Sequence, residues 1–75
     1  MRYINLGELI YSGLSKDTVI HVYNSNDQKI QCEPAKYVDE RLKVIDIYCI
    51  ELFGSNSIKI KIDTTMTEQD LHDEQ

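Results

Sequence analysis

The chain has 75 residues, of which 41% are apolar and 28% are charged, a composition typical of one small globular domain. No apolar run approaches the roughly 20 residues that a membrane-spanning helix needs, and we expect neither a secretory leader nor a membrane partner. These features predict a cytoplasmic protein.

The charge of the chain is divided between a neutral body and an acidic terminus. Residues 1–62 hold eight basic and eight acidic residues, so the whole net charge of −5 lies in residues 63–75. The acidic residues there are Asp63, Glu68, Asp70, Asp73 and Glu74. Because phosphate backbones repel a net-negative chain, direct nucleic acid binding is not expected. The terminus is either a solvated tail or an acidic segment that fits a basic groove on a partner.

The first predicted element is a short helix over residues 6–12. Asn5 and Glu8 have the spacing of a capping box at its start, and Gly13 fits its end. Two β-rich segments follow, at residues 18–23 and 28–33, with turn residues between them that predict a hairpin. The alternation in the second segment predicts that Ile30 and Cys32 point inward.

The second half of the chain repeats this order. Residues 34–42 have helical spacing of their apolar side chains, and Pro34 suits a first helical turn. Residues 44–53 predict a long strand in which the apolar side chains change from one face to the other along its length. A bulge near Cys49 or burial of both faces would explain this change. Residues 58–62 alternate isoleucine and lysine and predict the last strand.

These elements predict a small single α+β domain of order α-β-β-α-β-β. We expect one antiparallel four-stranded sheet covered by two short helices over residues 1–62. Residues 63–75 are expected to form an acidic C-terminal tail that is frayed or weakly helical. Self-association through an edge strand would add stability to so short a chain, so a homodimer is a further expectation.

No residue pattern indicates catalysis, a cofactor or a metal. Cys32 and Cys49 read as small buried hydrophobes, and neither pairs with a histidine at the spacing of a zinc site. His21 lies on one face of the first strand, and no Cys or Ser lies in a glycine elbow or at a helix start that would expose it as a nucleophile. Lysines and tyrosines on a sheet can also stack single-stranded bases, but lysines near sheet edges more often prevent aggregation.

The segment from Ile4 to Ile62 resembles small phage and mobile-element proteins of Gram-positive bacteria. The resemblance lies in the short N-terminal helix, the stretch 14–23, the stretch 39–44 and the closing hairpin that ends at residues 58–62. It implies an accessory gene product of the anti-defence type, anti-CRISPR proteins among them, and brings no catalytic residues.

The sequence therefore predicts a non-enzymatic inhibitor in the bacterial cytoplasm. Its partner would be a host protein or ribonucleoprotein complex with a basic groove. The predicted partner-binding residues are Asp63, Glu68, Asp70, Asp73, Glu74, Tyr23 and Tyr48. The alternatives are a homo-oligomeric sponge for a small nucleotide signal and a structural or accessory phage subunit.

Overall fold

The structure is a computed structural model that describes residues 4–72. Helix α1 (Leu6–Tyr11) is followed by the strands β1 (Val19–Tyr23) and β2 (Lys29–Pro34). A 3-10 helix (Ala35–Tyr37) and helix α2 (Glu40–Lys43) lead to β3 (Ile47–Gly54) and β4 (Ser57–Ile62). Helix α3 (Glu68–His72) closes the described part of the chain.

The predicted capping box forms at the start of α1. The Asn5 side chain accepts a hydrogen bond from the Glu8 amide at 2.8 Å, and the Glu8 carboxylate accepts one from the Asn5 amide at 2.9 Å. Two amides that the helix cannot satisfy are thereby paired, which fixes the first residue of α1.

The four strands form one mixed sheet in the order β2-β1-β4-β3. Each hairpin is antiparallel, but the two central strands, β1 and β4, run parallel. The α+β class is therefore confirmed, whereas the purely antiparallel sheet was wrong. Alternating burial shows which face of a strand is covered and leaves the direction of its neighbour open, so the isoleucines of β4 fitted either arrangement.

The single helix predicted over residues 34–42 was also wrong. Val38 and Asp39 have extended backbones, with ψ of 135° at both, and they separate the 3-10 helix from α2. Asp39 then begins α2 as its N-cap, because its carboxylate accepts a hydrogen bond from the Arg41 amide at 2.8 Å. With α3 added, the element order differs from the predicted α-β-β-α-β-β.

The core lies between the helices and one face of the sheet. Fully buried side chains come from both layers, with Leu6 and Leu42 in the helices and Ile20, Val22, Ile60 and Ile62 in the sheet. Residues 63–75, which we call the acidic segment, also contribute to the core. Leu71 of α3 is 9% exposed, and Met66 packs against the core from the loop before α3.

Two irregularities in the sheet decide which way the cysteines point. In the β1–β2 ladder, Val22 pairs with Gln31 and Tyr23 with Lys29, so Ile30 is an extra residue. This bulge keeps Ile30 buried and turns Cys32 outward, contrary to the expectation that both point inward. A similar shift between Ile47 and Cys49 is the bulge predicted for β3, and it leaves Cys49 exposed rather than buried.

Candidate functional site

One face of the sheet carries chemically active side chains, and we call it the open face. Strand register places Cys32, His21, Lys59 and Glu51 in one row across the four strands. The next row holds Lys29, Tyr23, Lys61 and Cys49. Side chains directly opposite each other on paired strands lie about 5 Å apart, so the members of a row can interact. The buried isoleucines of β4 alternate with Lys59 and Lys61 and point to the other face, toward the helices.

A thiol and an imidazole are in contact on the open face. Cys32 Sγ lies 3.3 Å from His21 Nδ1. The Phe53 ring meets the imidazole in an edge-on arrangement, with ring centroids 4.7 Å apart and planes at 68°. Burial lowers the pKa of His21 below its usual value, and the charge of Lys29 acts in the same direction. Both effects favour the neutral form of the imidazole, and the ring contact with Phe53 restrains it.

Tyr23 is surrounded by cations. The Nζ atoms of Lys59 and Lys29 lie 4.7 Å and 5.9 Å from the centroid of its ring. Such contacts are individually worth about 0.5–1 kcal/mol at exposed sites. They hold two ammonium groups over the middle of the open face, one on each side of the strand that carries His21.

Tyr48 and Glu51 line a shallow depression of about 440 Å³ together with Lys59 and Lys61, at one end of the open face. Lys61 forms an ion pair with Asp27 at 2.9 Å, and Lys59 lies 4.0 Å from Glu51. The hydrogen bond between Lys61 and Asp27 lowers the pKa of Asp27 and raises that of Lys61. The carboxylates thus partly neutralise the lysines, and the depression is mixed in charge.

A second surface lies along β3, the outermost strand on this side of the sheet. Its exposed apolar side chains are Tyr48, Ile50, Leu52 and Phe53, and we call them the β3 apolar edge. Ile50 and Leu52 pair in register with the buried Ile60 and Ile58, yet they are 46% and 87% exposed because the helix layer does not extend over them. Ile50 and Leu52 lie on the helix side of the strand, whereas Phe53 contacts His21 on the open face, so exposed apolar side chains flank both sides of this edge strand. Exposed apolar side chains on an edge strand are a candidate binding surface.

The structure places the predicted partner-binding residues in different regions. Tyr48 donates a hydrogen bond to the Asp63 carboxylate at 3.1 Å, so these two residues lie together at the start of the β3 apolar edge. Glu68 and Asp70 lie on α3, which packs against β2 at the opposite side of the sheet. Tyr23 lies in the centre of the open face, and Asp73 and Glu74 lie outside the described residues.

Sequence reasoning missed the contact between Cys32 and His21. Alternation along β2 predicted that Cys32 points inward, and no feature of the sequence marks the extra residue at Ile30 that turns it outward. Cys32 and Cys49 lie on the two outermost strands, three strand spacings or about 14 Å apart, which is too far for a disulfide.

Within residues 4–72, no three His, Cys, Asp or Glu side chains converge as metal ligands. In the same part of the chain, no helix is long and apolar enough to cross a membrane.

No protein-family model matches the chain, and searches of the curated proteins and of the solved structures give no significant match.

Proposed function

We propose that this protein is a non-enzymatic inhibitor, of the kind that phages and mobile elements use against host defence. Its target would be a host nucleic-acid-processing complex, with CRISPR effectors as the first candidates. The proposal has two parts, which are that the β3 apolar edge provides the contact and that the acidic segment directs it toward a basic groove.

The observation that carries the proposal is the exposure of the β3 apolar edge. Leu52 is 87% exposed and Phe53 is 52% exposed, although both belong to a regular strand. Large apolar and aromatic side chains at the centre of an interface provide most of the binding energy in protein complexes. A surface of this kind supports binding to another protein over binding to a small polar substrate.

The charge distribution supports a basic partner. Asp63 lies next to Tyr48, and its amide donates a hydrogen bond to the Asp46 carbonyl at 2.9 Å, so two exposed carboxylates lie together at the start of β3. Lys59 partly neutralises Glu51, and Glu68 and Asp70 lie at the other side of the sheet. An acidic surface beside an apolar one steers the encounter with a positively charged groove and accelerates association. Such grooves are where nucleic-acid-processing complexes hold their phosphate backbones.

The proposal is tested by titrating the protein into target cleavage by a panel of purified CRISPR effector complexes from Gram-positive bacteria. We expect cleavage by at least one effector to stop when about one molecule of the protein is present per effector complex, because a non-enzymatic inhibitor acts by occupying its target. The absence of inhibition across the panel would refute the proposal. So would full inhibition by far less than one molecule of the protein per complex, with chemical modification or degradation of the effector or its guide, because that result would indicate an enzyme.

A matched pair of variants assigns the inhibition to the β3 apolar edge. Leu52→Asp places a charge in the edge, whereas Val44→Asp places one on a side chain that is 74% exposed and precedes β3. Both positions are exposed enough for folding to tolerate the change. We expect Leu52→Asp to weaken inhibition and Val44→Asp to retain it.

A further inference from the structure

We propose that Cys32 is a reactive thiol that exchanges with anionic disulfides, with His21 as the base that takes its proton. The open face would then carry a modification site as well as lying beside the binding surface. The inference uses the contact between Cys32 of β2 and His21 of β1, with Phe53 of β3 and Lys59 of β4 beside them, and it does not require that β3 binds a partner.

The geometry joins a nucleophile to a base. The exposed Cys32 Sγ lies 3.3 Å from His21 Nδ1, within hydrogen-bond distance for sulfur. When His21 carries its proton on Nε2, Nδ1 accepts the thiol proton. The edge-on contact with Phe53 restrains the imidazole ring, so the nitrogen stays directed at the thiol. A thiol becomes a strong nucleophile when a neighbouring base removes its proton.

The surroundings select the charge of the reagent. Lys59 lies opposite His21 in the β1–β4 register, and Lys29 is the next outward-facing residue of β2 after Cys32. The ammonium groups of Lys29 and Lys59 over the neighbouring Tyr23 ring attract an anionic reagent to this part of the open face. In the row itself the carboxylate is Glu51, beyond Lys59, while Glu33, Asp39 and Glu68 line a depression that Cys32 shares with Lys29, so the salt dependence of the reaction measures which charge dominates.

The exchange balances without another reagent. Cys32 Sγ attacks one sulfur of the disulfide as its proton passes to His21 Nδ1. A bond forms between Sγ and that sulfur while the disulfide S–S bond breaks. The leaving thiolate takes the proton from His21, which returns to its neutral form. The products are a mixed disulfide on Cys32 and one free thiol. One disulfide and one thiol stand on each side of the reaction, so no external oxidant or reductant is needed.

The chain contains its own control for this reaction. Cys49 is also exposed on the open face and lies opposite Lys61, but its row contains no histidine. Comparing the two thiols therefore isolates the effect of His21 from exposure and from a neighbouring lysine. Since the sequence has two cysteines, Cys49→Ser and Cys32→Ser each leave a single thiol to follow.

The experiment measures the rate at which each single-thiol variant reacts with dithiobis-nitrobenzoate, a dianionic disulfide, at about pH 7. We expect Cys32 to react roughly tenfold or more faster than Cys49, because a positioned base accelerates proton transfer by at least that factor. In denaturant the two rates should converge, since both thiols then have similar surroundings.

Two further measurements separate the base from the cations. Adding His21→Gln to the Cys49→Ser variant should bring the Cys32 rate close to that of Cys49, with the fold checked by circular dichroism. Salt should slow the reaction of Cys32 with dithiobis-nitrobenzoate and leave its reaction with the cationic disulfide cystamine unslowed. Equal rates for the two thiols in the folded protein, or a Cys32 rate unchanged by His21→Gln, would overturn the proposal.

Discussion

Arg41 Nη2 donates a hydrogen bond to the backbone carbonyl of Leu71 at 2.9 Å and another to the Asp39 carboxylate, also at 2.9 Å. Arg41 Nε donates to the second carboxylate oxygen of Asp39 at 3.1 Å. One guanidinium thus connects the cap of α2 to the last turn of α3. The contact holds α3, within residues 63–75, on the body of the domain, next to the buried side chain of Leu71.

Asp39→Ala is expected to destabilise the fold by about 1 kcal/mol at neutral pH, because α2 loses its N-cap and Arg41 loses the Asp39 carboxylate while keeping the Leu71 carbonyl. The hydrogen bonds from Arg41 hold the pKa of Asp39 below its usual value. The stabilisation is therefore complete above the ordinary carboxyl pKa and is lost as the pH falls through the lower folded value.

Chemical denaturation of both proteins at several pH values checks this. The difference in unfolding free energy should narrow as the solution is acidified below about pH 4. A difference that stays constant to lower pH would mean that the ionised carboxylate contributes nothing. Asp39→Asn can still cap α2 but has no charge, so its unfolding free energy at neutral pH should lie between those of the unchanged protein and Asp39→Ala.

Asn24 is a buried polar residue at the end of β1, and its replacement by alanine should be costly. Its side chain accepts from the amides of Asn26 and Gln28, both at 2.9 Å, and donates to the Met66 carbonyl at 2.9 Å. Asn24→Ala leaves these groups unpaired and should cost about 2–3 kcal/mol. Thermal or chemical unfolding measures the loss.

The control for Asn24 is its exposed neighbour in the same turn. Asn26→Ala removes a side chain at the surface and should change the stability by less than about 0.5 kcal/mol. Equal effects of the two substitutions would show that the turn contributes through its sequence propensity rather than through the network around Asn24.

Gly7→Ala is expected to destabilise α1, although alanine is ordinarily the better helix residue by about 1 kcal/mol. A Cβ at this position would lie 3.0 Å from the carbonyl oxygen of Lys43 and 3.3 Å from its Cβ. Because the obstacle is backbone at the end of α2, the two helices must move apart, at a cost of roughly 1–3 kcal/mol. An increase in melting temperature would contradict the close approach of α1 and α2.

Neutralising the acidic segment tests the electrostatic part of the proposed function. Replacing Asp63, Glu68, Asp70, Asp73 and Glu74 with their amides should weaken inhibition and flatten its dependence on salt. The control neutralises four exposed carboxylates of the body that the proposal does not use, namely Asp17, Asp27, Glu33 and Glu40, and so makes four fifths of the same change in net charge.

The two variants of this test are compared by the midpoint of inhibition at low and high salt. If the control weakens inhibition as much as the first variant does, net charge acts rather than the position of the acidic segment. If neither variant changes inhibition or its salt dependence, the acidic segment has no part in binding.

Local signals in the sequence predicted the local structure well. The capping box of Asn5 and Glu8, the alternation of β4 and the bulge near Cys49 are short-range patterns, and the structure confirms each of them. The parallel pairing of β1 and β4 depends on how two distant hairpins meet, and no periodicity along one strand encodes it.

The candidate site was harder to predict for a related reason. Alternation along β2 predicted that Cys32 lies inside, but one extra residue at Ile30 reverses the face of everything that follows. The contact between Cys32 and His21 depends on that single bulge. Similarly, the sequence showed that Ile50 and Leu52 are apolar, but only the extent of the helix layer leaves them exposed.

Amide hydrogen exchange of the protein, alone and with any effector complex whose cleavage it stops in the titration, tests the proposed use of β3 most directly. The proposal predicts that exchange slows at residues 50–54 on binding, because the partner covers the β3 apolar edge. Unchanged exchange in those residues, with protection confined to α1 or to other regions away from β3, would contradict it.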